Sequence, residues 1–169
     1  MMGPGIEVAD VPKEERRRLL PILEESFEGM YLWHARRTLQ SIDVVRAART
    51  VDGEDAGLVM LKTLSEGPGY VYYVAVSPRF RRKGVGGRLL DEAVSYFEAK
   101  SVGEVYASVE EDNAESKQLF ASRGFERVEG SEMGDRYGRI RAFVMNREMM
   151  VVPGEFLVAK RLEAGPKSG

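Results

Sequence analysis

Residues Tyr70-Val71-Tyr72-Tyr73-Val74-Ala75-Val76 form an unbroken apolar and aromatic run. A strand with one wet face would alternate, so this one is expected to be buried on both faces, at the centre of a sheet. Ser77-Pro78 ends it, because proline cannot donate to a ladder and restricts the residue before it. Beyond the break, Val85, Leu89, Leu90, Ala93, Val94 and Phe97 recur at helical spacing. A buried strand feeding an apolar-striped helix belongs to a mixed α/β layer.

The remaining segments fit that architecture. Gly5–Ala9 reads as a short strand, and Asp10 with Pro12 as a helix start. Leu19, Leu20, Leu23 and Phe27 keep helical spacing across Pro21, which is expected to kink or split the helix. A second helix is expected from Met30 to Gln40. Val44–Val51 and Ala56–Leu64 flank Asp52-Gly53-Glu54-Asp55 as a hairpin. Then come a strand at Glu104–Val109, a helix at Asn113–Ser122, and strands at Phe125–Val128 and Glu155–Lys160. Ser131–Met150 carries two periods. Met133, Tyr137, Ile140 and Val144 fit a helix, whereas Ile140, Ala142 and Val144 alternate with Arg139 and Arg141 as in a strand; helix is the preferred reading. Residues 1–162 are expected to form one domain, with a flexible tail at 163–169.

Composition narrows the chemistry. The 169 residues include no Cys and one His, His34. Disulfides, thiolate nucleophiles and iron–sulfur clusters are therefore excluded, and no metal site is expected. A Ser–His–Asp triad would hang on His34 alone. A net charge of −2 argues against a nucleic-acid partner. Met1–Ile6 has no apolar leader core, and no stretch approaches the length of a membrane span. No membrane partner is expected, and the cytoplasm is the expected compartment.

The segment expected to bind a ligand is Arg81-Arg82-Lys83-Gly84-Val85-Gly86-Gly87-Arg88, between the buried strand and the striped helix. Glycines let backbone approach a ligand, and the first amides of a helix lack intrahelical acceptors. A pyrophosphate suits that position, and Arg79 to Arg88 supplies five cations. A solvated basic face is the bland alternative. No Gly-Lys-Ser/Thr completes a P-loop, and no third glycine completes a dinucleotide fingerprint. Few aromatic residues are interleaved with the cations, against a nucleic-acid patch.

The stretch Val74 to Gly86 resembles the acetyl-CoA signature of the GNAT superfamily of N-acetyltransferases, Arg/Gln-x-x-Gly-x-Gly/Ala, through Arg81, Gly84 and Gly86. A second element, Asn113-Ala114-Glu115-Ser116 through Leu119-Phe120 to Gly124-Phe125, resembles a later part of the same family. The resemblance implies a mixed α+β fold with a central, mostly antiparallel twisted sheet, splayed between Tyr70–Val76 and Val105–Val109. It implies pantetheine along the backbone of Val74 and Val76. The pyrophosphate would lie on Arg81, Arg82, Lys83, Gly84, Val85, Gly86, Gly87 and Arg88, with Asn113 and Ser116 on the cofactor side. The implied activity is direct acetyl transfer from acetyl-CoA to a primary amine in a ternary complex; a CoA-binding sensor domain is the alternative. The implied partners are acetyl-CoA and an amine acceptor, on a monomer or homodimer.

The catalytic residues depart from the family's usual pattern. Phe120 stands where the thiolate acid is usually Tyr, and is expected to pack in the core. Tyr70 stands where many members carry a Glu base; some protein N-terminal acetyltransferases have Tyr there, working with a group that would fall near Ser108 or Glu110. Tyr70 and Tyr72 share a strand face by the period of two, so Tyr70, Tyr72 and Glu110 are the catalytic candidates. Glu110-Glu111-Asp112 is either a carboxylate cluster of raised pKa or a solvated helix start. His34 falls in the first helical pair, as a structural residue more than a catalytic one. Ser131–Met150 is expected to overhang the acceptor, with Tyr137, Arg139 and Arg141 as contacts.

Overall fold

A computed structural model describes residues 5–163. The expected tail lies, from residue 164, outside the described residues, as do residues 1–4 of the leader reading. Among the described residues seven strands make one mixed sheet, in the order β1-β2-β3-β4-β5-β7-β6. Four of its pairings, β1–β2, β2–β3, β5–β7 and β6–β7, are antiparallel, and β4–β5 is parallel. The mixed α/β class expected from the buried strand is the one observed. No helix among the described residues is long and apolar enough to cross a membrane.

The chain divides into two compact units. The first runs to Lys62 and adds Tyr73–Ala93. It holds β1 (Ile6–Asp10), α1 (Leu20–Ser26), α2 (Gly29–Ser41), β2 (Val44–Thr50), β3 (Asp55–Thr63, all but its last residue), the end of β4 (Gly69–Val76) and the start of α3 (Val85–Ala99). Asp10 does not open a helix; it pairs with Arg46 as the last residue of β1, and Pro12 precedes a 3-10 segment at Lys13–Leu19. Pro21 acts as expected on the helix. The 3-10 segment gives way to α1 at Leu20, which places Pro21 in the first turn, where its missing N–H costs nothing. In β3, Ala56 to Leu61 are buried without a break, so both faces of that strand are covered. Arg16, 3% exposed, is the polar pin of this unit. It donates to the carbonyls of Val11, Leu39, Ile42 and Asp43 at 2.6–3.2 Å, which satisfies acceptors at the C-terminal end of α2.

The second unit comprises Thr63–Tyr72 and the chain from Val94. Its spine is β5 (Glu104–Glu110), paired over seven residues with β7 (Glu155–Arg161), from Glu104↔Arg161 to Glu110↔Glu155. β6 (Glu126–Val128) joins the far edge of β7. The start of β4 pairs in parallel with β5, Gly69–Val71 against Val105–Ala107. Gly69 has no room for a side chain, since a Cβ there would stand 2.6 Å from the Phe97 ring. α4 (Ala114–Ser122) follows β5.

The ambiguous stretch is helical, as α5 (Glu132–Tyr137) and α6 (Arg139–Met149), divided at Gly138 with φ +80°. Ala142, Met145 and Met149 decide it. At three- and four-residue spacing they pack with Tyr70, Tyr106, Met133 and Ala159 in one buried cluster.

Candidate functional site

In the first unit, β4 ends in a tightly held turn. The Ser77 amide donates to the Ala56 carbonyl at 2.9 Å, and its Oγ donates to Glu25 at 3.1 Å. Phe80 is buried, and Arg81 Nε donates back to the Val76 carbonyl at 3.1 Å. Arg82 and Gly84 both take positive φ, +59° and +81°, and reverse the chain into α3. The Arg88 amide bonds to the Gly84 carbonyl at 3.0 Å and opens the intrahelical ladder. The amides of Val85, Gly86 and Gly87 therefore have no acceptor within the helix, and the positive end of its dipole lies behind them. Val85 is 3% exposed and anchors the helix start in the core.

Gly57 makes this seat possible. A Cβ on it would stand 2.8 Å from the Ala75 carbonyl oxygen, 3.0 Å from Leu89 Cδ1 and 3.3 Å from Val85 Cγ1. The close approach of β3 to the end of β4 and to α3 thus depends on a missing side chain. An isolated glycine inside a strand pattern is the signal for such an approach; the sequence reading did not use it.

In the second unit, one face of the sheet gathers hydroxyls and carboxylates. Tyr70 pairs with Tyr106, and Tyr106 with Ala159, so by the period of two Tyr72, Ser108, Glu110 and Glu155 fall on that same face. Tyr70 is 1% exposed, hydrogen-bonded to Ser108 Oγ at 3.0 Å and to the Met149 carbonyl at 3.1 Å. Tyr72 is half-buried, its ring edge-on to Tyr70 at 5.2 Å. Burial first, and the Glu155 carboxylate second, push its phenol up to about 12. Tyr72 thus keeps its proton at neutral pH.

A model of the acetyltransferase (GNAT) family matches residues 13–125. This chain belongs to the GNAT acetyltransferase family. Structures that resemble it include the Escherichia coli ribosomal-protein-S18-alanine N-acetyltransferase, at TM-score 0.69 and 15% identity over 97% of this chain and 98% of that one. A Bacillus cereus IAA acetyltransferase matches at TM-score 0.69 and 16% identity, over 94% and 100%. A Thermoplasma acidophilum PaiA N-acetyltransferase in complex with coenzyme A matches at 0.67 and 16%, over 94% and 99%. An uncharacterized Mycobacterium leprae protein is 32% identical over 118 residues, 66% of this chain, and the match spans about a third of that relative's length (32%).

Several expected site residues occupy other roles in this GNAT chain. Of the five cations, Arg79 is ion-paired with Glu54, and Arg81 is directed at the Val76 carbonyl. Arg82, Lys83 and Arg88 are exposed beside the helix start. Asn113 caps α4, accepting from the Ser116 amide at 3.0 Å, so that oxygen and that amide bond each other. Tyr70 is buried among core residues. Of the two readings of the acidic cluster, a raised pKa does not apply to Glu111, whose exposed carboxylate is held down by Arg127 at 2.7 Å and Lys117 at 3.1 Å.

Tyr137 is held away from Glu110. Its hydroxyl donates to Glu104 at 2.9 Å, at the opposite end of β5, where it also lines a cavity of about 640 Å³. Arg141 pairs with Glu66 at 3.4 Å. Phe120 is core, edge-on to Phe125 at 5.2 Å. His34 Nδ1 lies 2.8 Å from the Tyr73 hydroxyl, and burial, then Arg37, lowers its pKa.

Proposed function

We propose that this GNAT acetyltransferase moves an acetyl group from acetyl-CoA to a primary amine. The observation that carries the proposal is the turn from Val76 to Arg88, with the first helical amides of Val85, Gly86 and Gly87, which have no acceptor within the helix, beside three exposed cations. A pyrophosphate fits there, because amides and the helix dipole supply fixed positive potential without titrating. Two structural neighbours described as N-acetyltransferases, one of them a coenzyme A complex, support the same reading.

In this reading acetyl-CoA is a substrate. Its pyrophosphate lies on Arg82, Lys83, Gly84, Val85, Gly86, Gly87 and Arg88, and its pantetheine runs along Val74 and Val76. Arg81 shapes the turn through the Val76 carbonyl. Asn113 and Ser116 order the start of α4. The amine nitrogen attacks the thioester carbon directly, so a C–N bond forms as the C–S bond breaks. Glu110 takes the ammonium proton and Tyr72 gives its proton to the leaving thiolate, each role being positional general catalysis. Tyr70 is a positioning residue that holds Ser108.

The test measures acetyl-CoA binding by calorimetry and thiol release with a panel of amines and peptides. Gly86→Asp places a carboxylate beside the first amides of α3. Aspartate in a helix's first turn favours the helix, so the fold is retained while affinity falls at least about tenfold, or 1.4 kcal/mol. Unchanged affinity in that variant would refute the site. Tight binding without turnover on any acceptor would favour a CoA-binding sensor instead.

A further inference from the structure

The surface of α6 is apolar on the side that should be wet. Its buried residues, Ala142, Met145 and Met149, share one side. At 100° per residue, Ile140, Phe143, Val144 and Arg147 centre on the opposite side. Ile140 is 82% exposed, Phe143 63% and Val144 38%. Met150 and Val152, which follow the helix in the chain, are 51% and 39% exposed. Contiguous apolar surface of this kind on a soluble domain marks a binding face.

Charge says what covers it. Arg147 is exposed within the strip and Arg139 on its flank, and the Arg147 guanidinium stands 6.0 Å from the Phe143 ring. Beyond the helix the sign reverses. Val151 packs against the same core as Tyr72, and Glu155 lies opposite Glu110 in the β5–β7 register. The surface thus has an apolar, cationic body and an anionic end beside Tyr72.

We propose that this strip docks a polypeptide acceptor, with the amine toward Glu110 and Glu155 and apolar and acidic residues following it along α6. The inference rests on the N-acetyltransferase reading and names its acceptor class. Eleven helical residues span about 16 Å at 1.5 Å each, the reach of about five extended residues. A second copy fits less well. Antiparallel pairing of two α6 helices sets Arg139 of one copy against Arg147 of the other, like charge on like. An anionic lipid surface would meet Glu110 and Glu155 at the end of the strip.

The experiment measures fluorescence anisotropy of two ten-residue peptides, each with a free amine and a C-terminal dye. One follows the amine with alternating Leu and Asp, the other with Leu and Lys. The acidic peptide is expected to bind at least tenfold tighter. Ile140→Ser with Phe143→Ser should weaken it at least tenfold, and Arg139→Glu with Arg147→Glu should reverse the preference. In turnover, the first pair should raise KM for the acidic peptide while KM for acetyl-CoA and kcat on a small free amine stay unchanged. Equal binding of the two peptides, or indifference to the α6 variants, overturns the proposal. So does α6-dependent binding to phosphatidylserine vesicles, or a dimer in sedimentation that Ile140→Ser with Phe143→Ser dissociates. Peptide binding through α6 with no turnover would keep the docking surface and sink the N-acetyltransferase reading. Turnover of small amines without α6-dependent peptide binding would do the reverse.

Discussion

Gly57→Ala adds one methyl group at the point where β3, the end of β4 and α3 come closest. Its contacts would be 2.8 Å to the Ala75 carbonyl oxygen, 3.0 Å to Leu89 Cδ1 and 3.3 Å to Val85 Cγ1. The leucine can rotate away, but the backbone oxygen cannot move without the strand. At least a few tenths of an ångström must therefore open between β3 and β4, next to the Ser77–Ala56 hydrogen bond that starts the turn. Overpacking of a buried site costs roughly 1–3 kcal/mol. A chain of this size loses about 2–4 °C per kcal/mol, so Tm should fall by about 2–12 °C. On the proposed reading acetyl-CoA affinity should fall too, because the displaced elements carry the first amides of α3. Leu89→Val removes Cδ1 while leaving the oxygen in place, so it should not rescue the variant. Thermal unfolding and calorimetry read both effects. A Tm within 1 °C of the parent, or full rescue by Leu89→Val, would refute the argument that a backbone contact fixes the turn.

Other outcomes follow from the same geometry. Arg16→Met leaves four carbonyls without their buried donor; at roughly 1–3 kcal/mol for each unsatisfied buried group, with partial relief by water, a loss of about 3 kcal/mol or more in denaturant unfolding is expected. Tyr72→Phe should lower kcat more than it changes acetyl-CoA affinity. Since the Tyr72 phenol is pushed up to about 12, the wild-type rate should show no loss from its ionisation between pH 7 and 10. His34 has a lowered pKa in the folded state, so its neutral form is favoured by folding. Stability from this group is full above the unfolded value of about 6.5 and is lost as pH falls through the folded value; His34→Gln should flatten that part of a stability profile measured from pH 8 to 5.

What could be read from the residues depended on whether a pattern was local. The strand Tyr70–Val76 and the stripe from Val85 to Phe97 were legible because an apolar run and helical spacing each leave a one-dimensional trace. Burial on both faces does not hold along the whole strand, since Tyr72, Tyr73, Val74 and Val76 are only half-buried. The same logic did not reach the intramolecular contacts of Arg79, Arg81 and Asn113. Their partners, Glu54, the Val76 carbonyl and the Ser116 amide, are set by how the turns close, and a run of cations does not say which of them turn inward. Gly57 was visible as a glycine in an apolar strand, yet its meaning required knowing that the Ala75 carbonyl stood opposite.

The two-period segment at Ser131–Met150 shows the deeper reason. Both periods were present because α6 has apolar residues on two opposite sides. Ala142, Met145 and Met149 pack into the core, and Ile140, Phe143 and Val144 face outward. A helix that served only the core would have carried one stripe and read cleanly. The ambiguity was therefore the trace of a second burial demand, which the folded chain alone leaves unmet and which a peptide laid along α6 would satisfy.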